Sequence, residues 1–151
     1  MDRRTFLQQG GGWLGTLLAA GWFAPEVAAQ PWNRAAFDAR TVKEALEALG
    51  AKDAAPGGDI VITAPELAEN GAVVPITITS KVPGTESIAL LVDKNPNALS
   101  AVFTLPAGTL PDVHTRVKMA ETSSVVAMVR AGGRVVFAMK EVKVTLGGCG
   151  G

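Results

Sequence analysis

From Asp59 onward the sequence predicts a mainly β fold, an antiparallel sandwich, and three observations carry that prediction. Apolar and polar residues alternate with a period of two through most of the stretch. About seven such runs recur at a spacing of roughly 8–12 residues. Turn formers, Asn95-Pro96-Asn97 and Gly132-Gly133 among them, separate the runs.

Ahead of this region stand a processing segment and a helical lead. Residues 1–29 read as an export signal. Arg3-Arg4 is followed by Thr5, Phe6 and Leu7, then by the apolar, glycine-laden GGGWLGTLLAAGWF, and Val27-Ala28-Ala29 offers small residues for cleavage before Gln30. The apolar stretch is too short for a membrane span, which needs about 20 such residues. The pattern resembles a twin-arginine (Tat) signal, from which it departs at Asp2 and Gln8; an ordinary secretory signal is the alternative. Either one implies export to the periplasm, with no membrane attachment once the signal is removed.

Residues 30–58 hold a helix and a linker. In PWNRAAFDARTVKEALEALG, Val42, Ala45, Leu46 and Leu49 form one apolar stripe. Thr41 and Glu44 suit a capping box, Gly50 supplies the stop, and AKDAAPGG reads as the linker.

Residues 59–146 supply the strands. DIVITAP is the first. In AVVPITITS, Val74, Ile76 and Ile78 alternate with Pro75, Thr77 and Thr79, as one buried face requires. SIALLVDKN follows, and in LSAVFTLP residues Leu99, Ala101, Phe103 and Leu105 share a face. DVHTRVKM sets Val113, Thr115 and Val117 opposite His114, Arg116 and Lys118, so His114 falls on the wet side as a surface or interface histidine. SSVVAMVR and RVVFAMKEVKVTL form a hairpin across Ala131-Gly132-Gly133. Together these runs predict an immunoglobulin-like sandwich without the inter-sheet disulfide, since the chain has one cysteine.

Two features of the last strands need explanation. Val135, Phe137 and Met139 share one parity, while Val142, Val144 and Leu146 take the other, which predicts a β-bulge near Lys140-Glu141. Val126 and Met128 are apolar on the face opposite Val125 and Val129. A covering helix or a patch for a partner subunit would each account for that second apolar face.

Composition excludes several functions. Fourteen acids balance fourteen bases, with no run of either sign, so the basic footprint of a nucleic-acid binder is missing. There is no tyrosine, and few aromatic platforms exist on which bases could stack. A hydrophobic fraction of 48% against 19% charged residues suits a folded core.

The one cysteine, Cys149, lies in Gly147-Gly148-Cys149-Gly150-Gly151, which reads as a flexible arm, residues 147–151. Glycine accepts nearly any φ/ψ and adds no bulk, so the arm is thin enough for a narrow pocket. Three residues beyond Leu146 extend about 10 Å. An unperturbed thiol titrates near 8.5, leaving about 3% thiolate at pH 7. The arm contains no base to activate it, so the thiol reads as a handle on which other enzymes act. Blue copper would need two histidines and structural zinc four ligands; the chain has one histidine and one cysteine. A structural Ig-like domain dimerised by an intermolecular disulfide stays open as the alternative.

The terminal GGCGG resembles the signature of the SoxY family, sulfur carriers of the thiosulfate-oxidising Sox system. ITAPELAENGAVVPITITS, residues 62–80, is similar to that family's first two strands. The resemblance implies a carrier rather than an enzyme, with Cys149 as the covalent attachment point for sulfur. It implies no cofactor in the chain itself. It also implies a SoxZ-like β-sandwich partner, in a heterodimer or heterotetramer. A c-type cytochrome, a manganese-dependent hydrolase and a molybdenum-containing sulfur dehydrogenase would act on the bound sulfur.

Overall fold

The computed structural model describes residues 32–145. The export-signal residues 1–29 lie outside them. The helical lead forms two short helices rather than one, α1 (Arg34–Asp38) and α2 (Val42–Ala48). The break has a local cause. Ala39 is extended (φ −62°, ψ 132°), and Thr41 starts a new helix as its N-cap. Thr41 Oγ1 accepts from Glu44 N at 3.2 Å, and Glu44 Oε2 accepts from Arg40 N at 3.0 Å. These side chains satisfy amides that helix continuation would otherwise have to pair. Gly50 (φ 67°) ends α2 as expected. Its amide donates to Glu47 O, and that of Ala51 to Leu46 O, the paired bonds of a Schellman close.

Nine strands follow among the described residues. They are β1 (Ala55–Pro56), β2 (Ile60–Thr63), β3 (Leu67–Ala68), β4 (Val74–Ser80), β5 (Thr85–Val92), β6 (Leu99–Thr104), β7 (Asp112–Val117), β8 (Ser123–Ala131) and β9 (Arg134–Val144). The seven expected runs become β2 and β4–β9. The additions, β1 and β3, have two residues each and pair in parallel with the outer edge of β9. β1 therefore occupies the expected linker, and Pro56 is tolerated there because β1 is an edge strand.

One sheet runs β1-β9-β8-β5-β6, with β3 also on β9, and the other runs β2-β4-β7. The two form a mainly β, immunoglobulin-like sandwich with open sheets. Between them lie Ile76 and Ile78 of β4, Ile88 and Leu90 of β5, Val125 and Val129 of β8, and Val142 of β9, each at most 1% exposed. Burying one such side chain contributes roughly 1.5–3 kcal/mol. The β8–β9 hairpin turns on Gly132 and Gly133, both with positive φ (53° and 75°), as a two-residue type I′ turn requires.

The large sheet is buried on its outer face as well. Leu91, Val126 and Met128 pack there with Ala36 and Ala45 of the two helices, so the covering helix explains most of the second apolar face. Arg130 Nη2 donates to Leu49 O at 2.7 Å, tying the end of α2 to β8. Coverage stops short of Met139, which is 64% exposed and borders an open groove lined by Val42, Leu46, Val126 and Phe137.

Two strand expectations are corrected. β9 has no bulge at Lys140-Glu141, because β8 and β9 stay in register from Ser123↔Val142 to Ala131↔Arg134. The apparent change of parity arises because both faces of β9 are apolar: Val135 and Phe137 face the helices, whereas Val136, Ala138 and Val144 face the sandwich core. Irregularities lie elsewhere, one at Glu86 of β5 against β8 and one in β6. Leu91 pairs with Leu99 while Leu90 pairs with Ala101, so Ser100 is an extra residue. It reverses the alternation, sending Leu99 to the helix side and Phe103 to the sandwich core. The expected shared face of Leu99, Ala101, Phe103 and Leu105 is therefore split. Among the described residues no helix is long and apolar enough to cross a membrane.

Candidate functional site

Leu146 and the arm residues Gly147, Gly148, Cys149, Gly150 and Gly151 lie outside the described residues. What the structure shows is the root from which the arm leaves, at Thr145. Successive amides of an extended strand point to opposite sides, and here each finds a partner. Lys143 N donates to Glu66 O at 3.0 Å on the β3 side. Val144 N donates to Thr122 Oγ1 at 3.0 Å on the β8 side. Thr145 N returns to the β3 side and donates to Ala68 O at 3.1 Å, and its hydroxyl donates to Glu69 O at 3.2 Å. The last described residues are therefore held from both sides, with their donors satisfied.

The neighbouring loops are tied to one another. Met119 N donates to Gly71 O at 2.7 Å, and Asn95 Nδ2 donates to Lys118 O at 2.7 Å. Val142, fully buried, anchors the strand beneath. The segment from Glu66 to Val73 thus forms a strap across the root. It exposes Leu67 (52%) and Val73 (50%) and carries Glu66 and Glu69.

Sequence reasoning missed this strap. β3 is two residues long and pairs with a strand 76 positions away, as Leu67↔Lys143 shows, so no periodicity marks it. The weak signal was Asn70-Gly71 in the middle of an otherwise unassigned loop.

His114 lies on the exposed face of β7, as its parity indicated. Its Nδ1 is 2.9 Å from Thr77 Oγ1 on β4, and its Nε2 is 3.3 Å from Asp112 Oδ2. Asp112 also accepts from Thr79 Oγ1 at 2.9 Å. The four side chains make a surface network across two strands, beside a shallow groove of about 480 Å³. Among the described residues, no group of three or more His, Cys, Asp or Glu side chains is placed to hold a metal ion.

The fold and root define a class: a small two-sheet sandwich whose last strand is clamped just before a glycine-flanked thiol. A family model described as sulfur oxidation protein SoxY matches residues 45–149, a span that ends on Cys149. The chain belongs to the SoxY family. A solved structure of the sulfur carrier protein SoxY from Chlorobium limicola f thiosulfatophilum is 38% identical, with a TM-score of 0.58; the match covers 66% of this chain and 94% of that one. A superoxide reductase (neelaredoxin) from Ignicoccus hospitalis is 18% identical at a TM-score of 0.51, covering 57% of this chain and 80% of its own, and shares the fold alone. No curated protein matches the chain.

Proposed function

We propose that this protein is a periplasmic sulfur carrier that binds thiosulfate-derived sulfur covalently on Cys149 and presents it to partner enzymes. The observation that carries the reading is the SoxY family match, which extends through the clamped strand end to Cys149. A carrier needs a thiol that travels and a base that does not. The bonds from Thr145 to Ala68 and Glu69 supply the base. The glycines on either side of Cys149 supply a slim approach.

The Cys149 thiolate and the outer sulfur of thiosulfate form an S–S bond, giving a cysteine S-thiosulfonate and releasing two electrons to a c-type cytochrome. Water then cleaves the terminal sulfur–sulfonate bond in a manganese-dependent hydrolase, releasing sulfate and two protons and leaving a persulfide on Cys149. A molybdenum-containing dehydrogenase would oxidise that sulfur further. A SoxZ-like β-sandwich completes the carrier, and the pair leaves the cytoplasm together by the twin-arginine route. The chain performs none of these steps alone, since its arm holds no base to activate the thiol.

Intact-mass spectrometry of the exported protein, purified without reductant from cells oxidising thiosulfate, tests the reading. Sulfane or thiosulfonate increments should be present and should vanish in Cys149→Ser, which should fold normally. A bare thiol, or a disulfide dimer with no adduct, would overturn the carrier role in favour of a structural one.

A further inference from the structure

Cys149 is four residues past Thr145, so the chain places it at most about 13–14 Å from the clamped root. Any enzyme acting on it must bring its pocket within that distance, and the rim of the pocket must then meet the surface around the root. Three of the exposed large apolar side chains stand elsewhere. Met139 is six residues back along β9, roughly 20 Å away, Leu110 lies in the β6–β7 connection, and Val102 is on β6 at the far edge of the sheet.

Leu67 and Val73 do flank the root. Leu67 pairs with Lys143, two residues before Thr145, which places it roughly 8 Å from the pivot. Gly71 abuts Val144, and Val73 follows it by two residues, at most about 7 Å further on. Both side chains are half exposed, while Ala68 between them is buried. Glu66 and Glu69 add two carboxylates, and residues 66–73 contain no base. The carbonyls of Ala68 and Glu69 are bonded to Thr145, so this surface is tied directly to the pivot.

We propose that the strap from Glu66 to Val73 is the docking surface for the enzymes that act on Cys149, with Leu67 and Val73 as its apolar contacts. The inference rests on the sulfur-carrier reading and adds the footprint of the partner. The complementary rim carries an apolar patch beside Lys or Arg side chains, which the two carboxylates steer into place. Because the thiol is delivered only while the strap is engaged, every enzyme using the arm shares this footprint.

The test compares full-length protein with Leu67→Ser/Val73→Ser, with Glu66→Lys/Glu69→Lys, and with Met139→Ser as the control. Each is produced in thiosulfate-oxidising cells lacking their own copy. The readout is the initial rate at which the adduct appears on Cys149 after a thiosulfate pulse, followed by intact mass. Two further measurements, alkylation of the purified thiol by iodoacetamide and thermal unfolding, should give equal values for all four proteins. The apolar double variant should load about tenfold more slowly or worse, the loss expected when two central contacts are removed. The charge-reversed variant should also load more slowly, with Met139→Ser unaffected. Wild-type loading in the apolar variant, or an equal loss in Met139→Ser, would overturn the docking surface. A wild type that never loads would instead refute the carrier reading itself, and the docking surface with it.

Discussion

Gly71 lies so close to Val144 that no side chain fits between them. A Cβ at Gly71 would stand 2.8 Å from Val144 Cγ1 and 2.5 Å from the Met119 carbonyl oxygen. That contact brings the strap, the β7–β8 loop and the last residue of β9 to one point, immediately before the arm. Its first consequence concerns stability. Gly71→Ala must displace backbone rather than a flexible side-chain tip, so the fold should lose about 1–3 kcal/mol. Denaturant unfolding measures the loss, and hydrogen exchange should show the Met119 and Thr145 amides opening faster. An unchanged midpoint would mean that the strap can shift without cost.

Leu90 and Leu91 are adjacent on β5 and fully buried on opposite faces, one between the sheets and the other beneath the helices. Either residue changed to Ala should cost about 2–5 kcal/mol, because each leaves a cavity in a packed layer. Thermal or chemical unfolding of the two single variants decides this. A cost below about 1 kcal/mol for Leu91→Ala would show that the helices do not seal the outer face.

Gly147→Val and Gly148→Val should slow adduct turnover while leaving unfolding unchanged. A β-branched side chain narrows the backbone's choices and adds bulk to the segment that the proposed carrier would insert into a partner's pocket. Turnover after a thiosulfate pulse, followed by mass, provides the comparison. Wild-type rates in both variants would remove the steric role of these glycines.

The legible parts of the fold were those carried by local pattern. Val74, Ile76 and Ile78 alternate and are buried, and His114 falls on the wet face with Arg116. The Gly132-Gly133 turn and the Gly50 cap were readable because their backbones need positive φ. The errors came where two environments shared one strand. β9 is apolar toward both the sandwich core and the helices, and that mixture imitated a bulge. In β6 the real bulge at Ser100 was hidden, since Leu99, Ala101, Phe103 and Leu105 keep a regular spacing in the chain. An extra residue is visible only against the strand it pairs with.

Local order along the chain already carries the strand runs, the turns, the single thiol between glycines and the SoxY resemblance. Each of these is a property of residues close together in the chain, where side-chain period and backbone freedom act. The tertiary structure alone decided that helices cover the outer face, that β1 and β3 close onto β9 in parallel, and that the strap from Glu66 to Val73 holds the root of the arm. The strand pairings and the strap are formed by backbone amides and carbonyls that every residue type possesses, so periodicity leaves no trace of them. The apolar face of Val126 and Met128 called for a cover, and only the packing of Ala36 and Ala45 against it decided which.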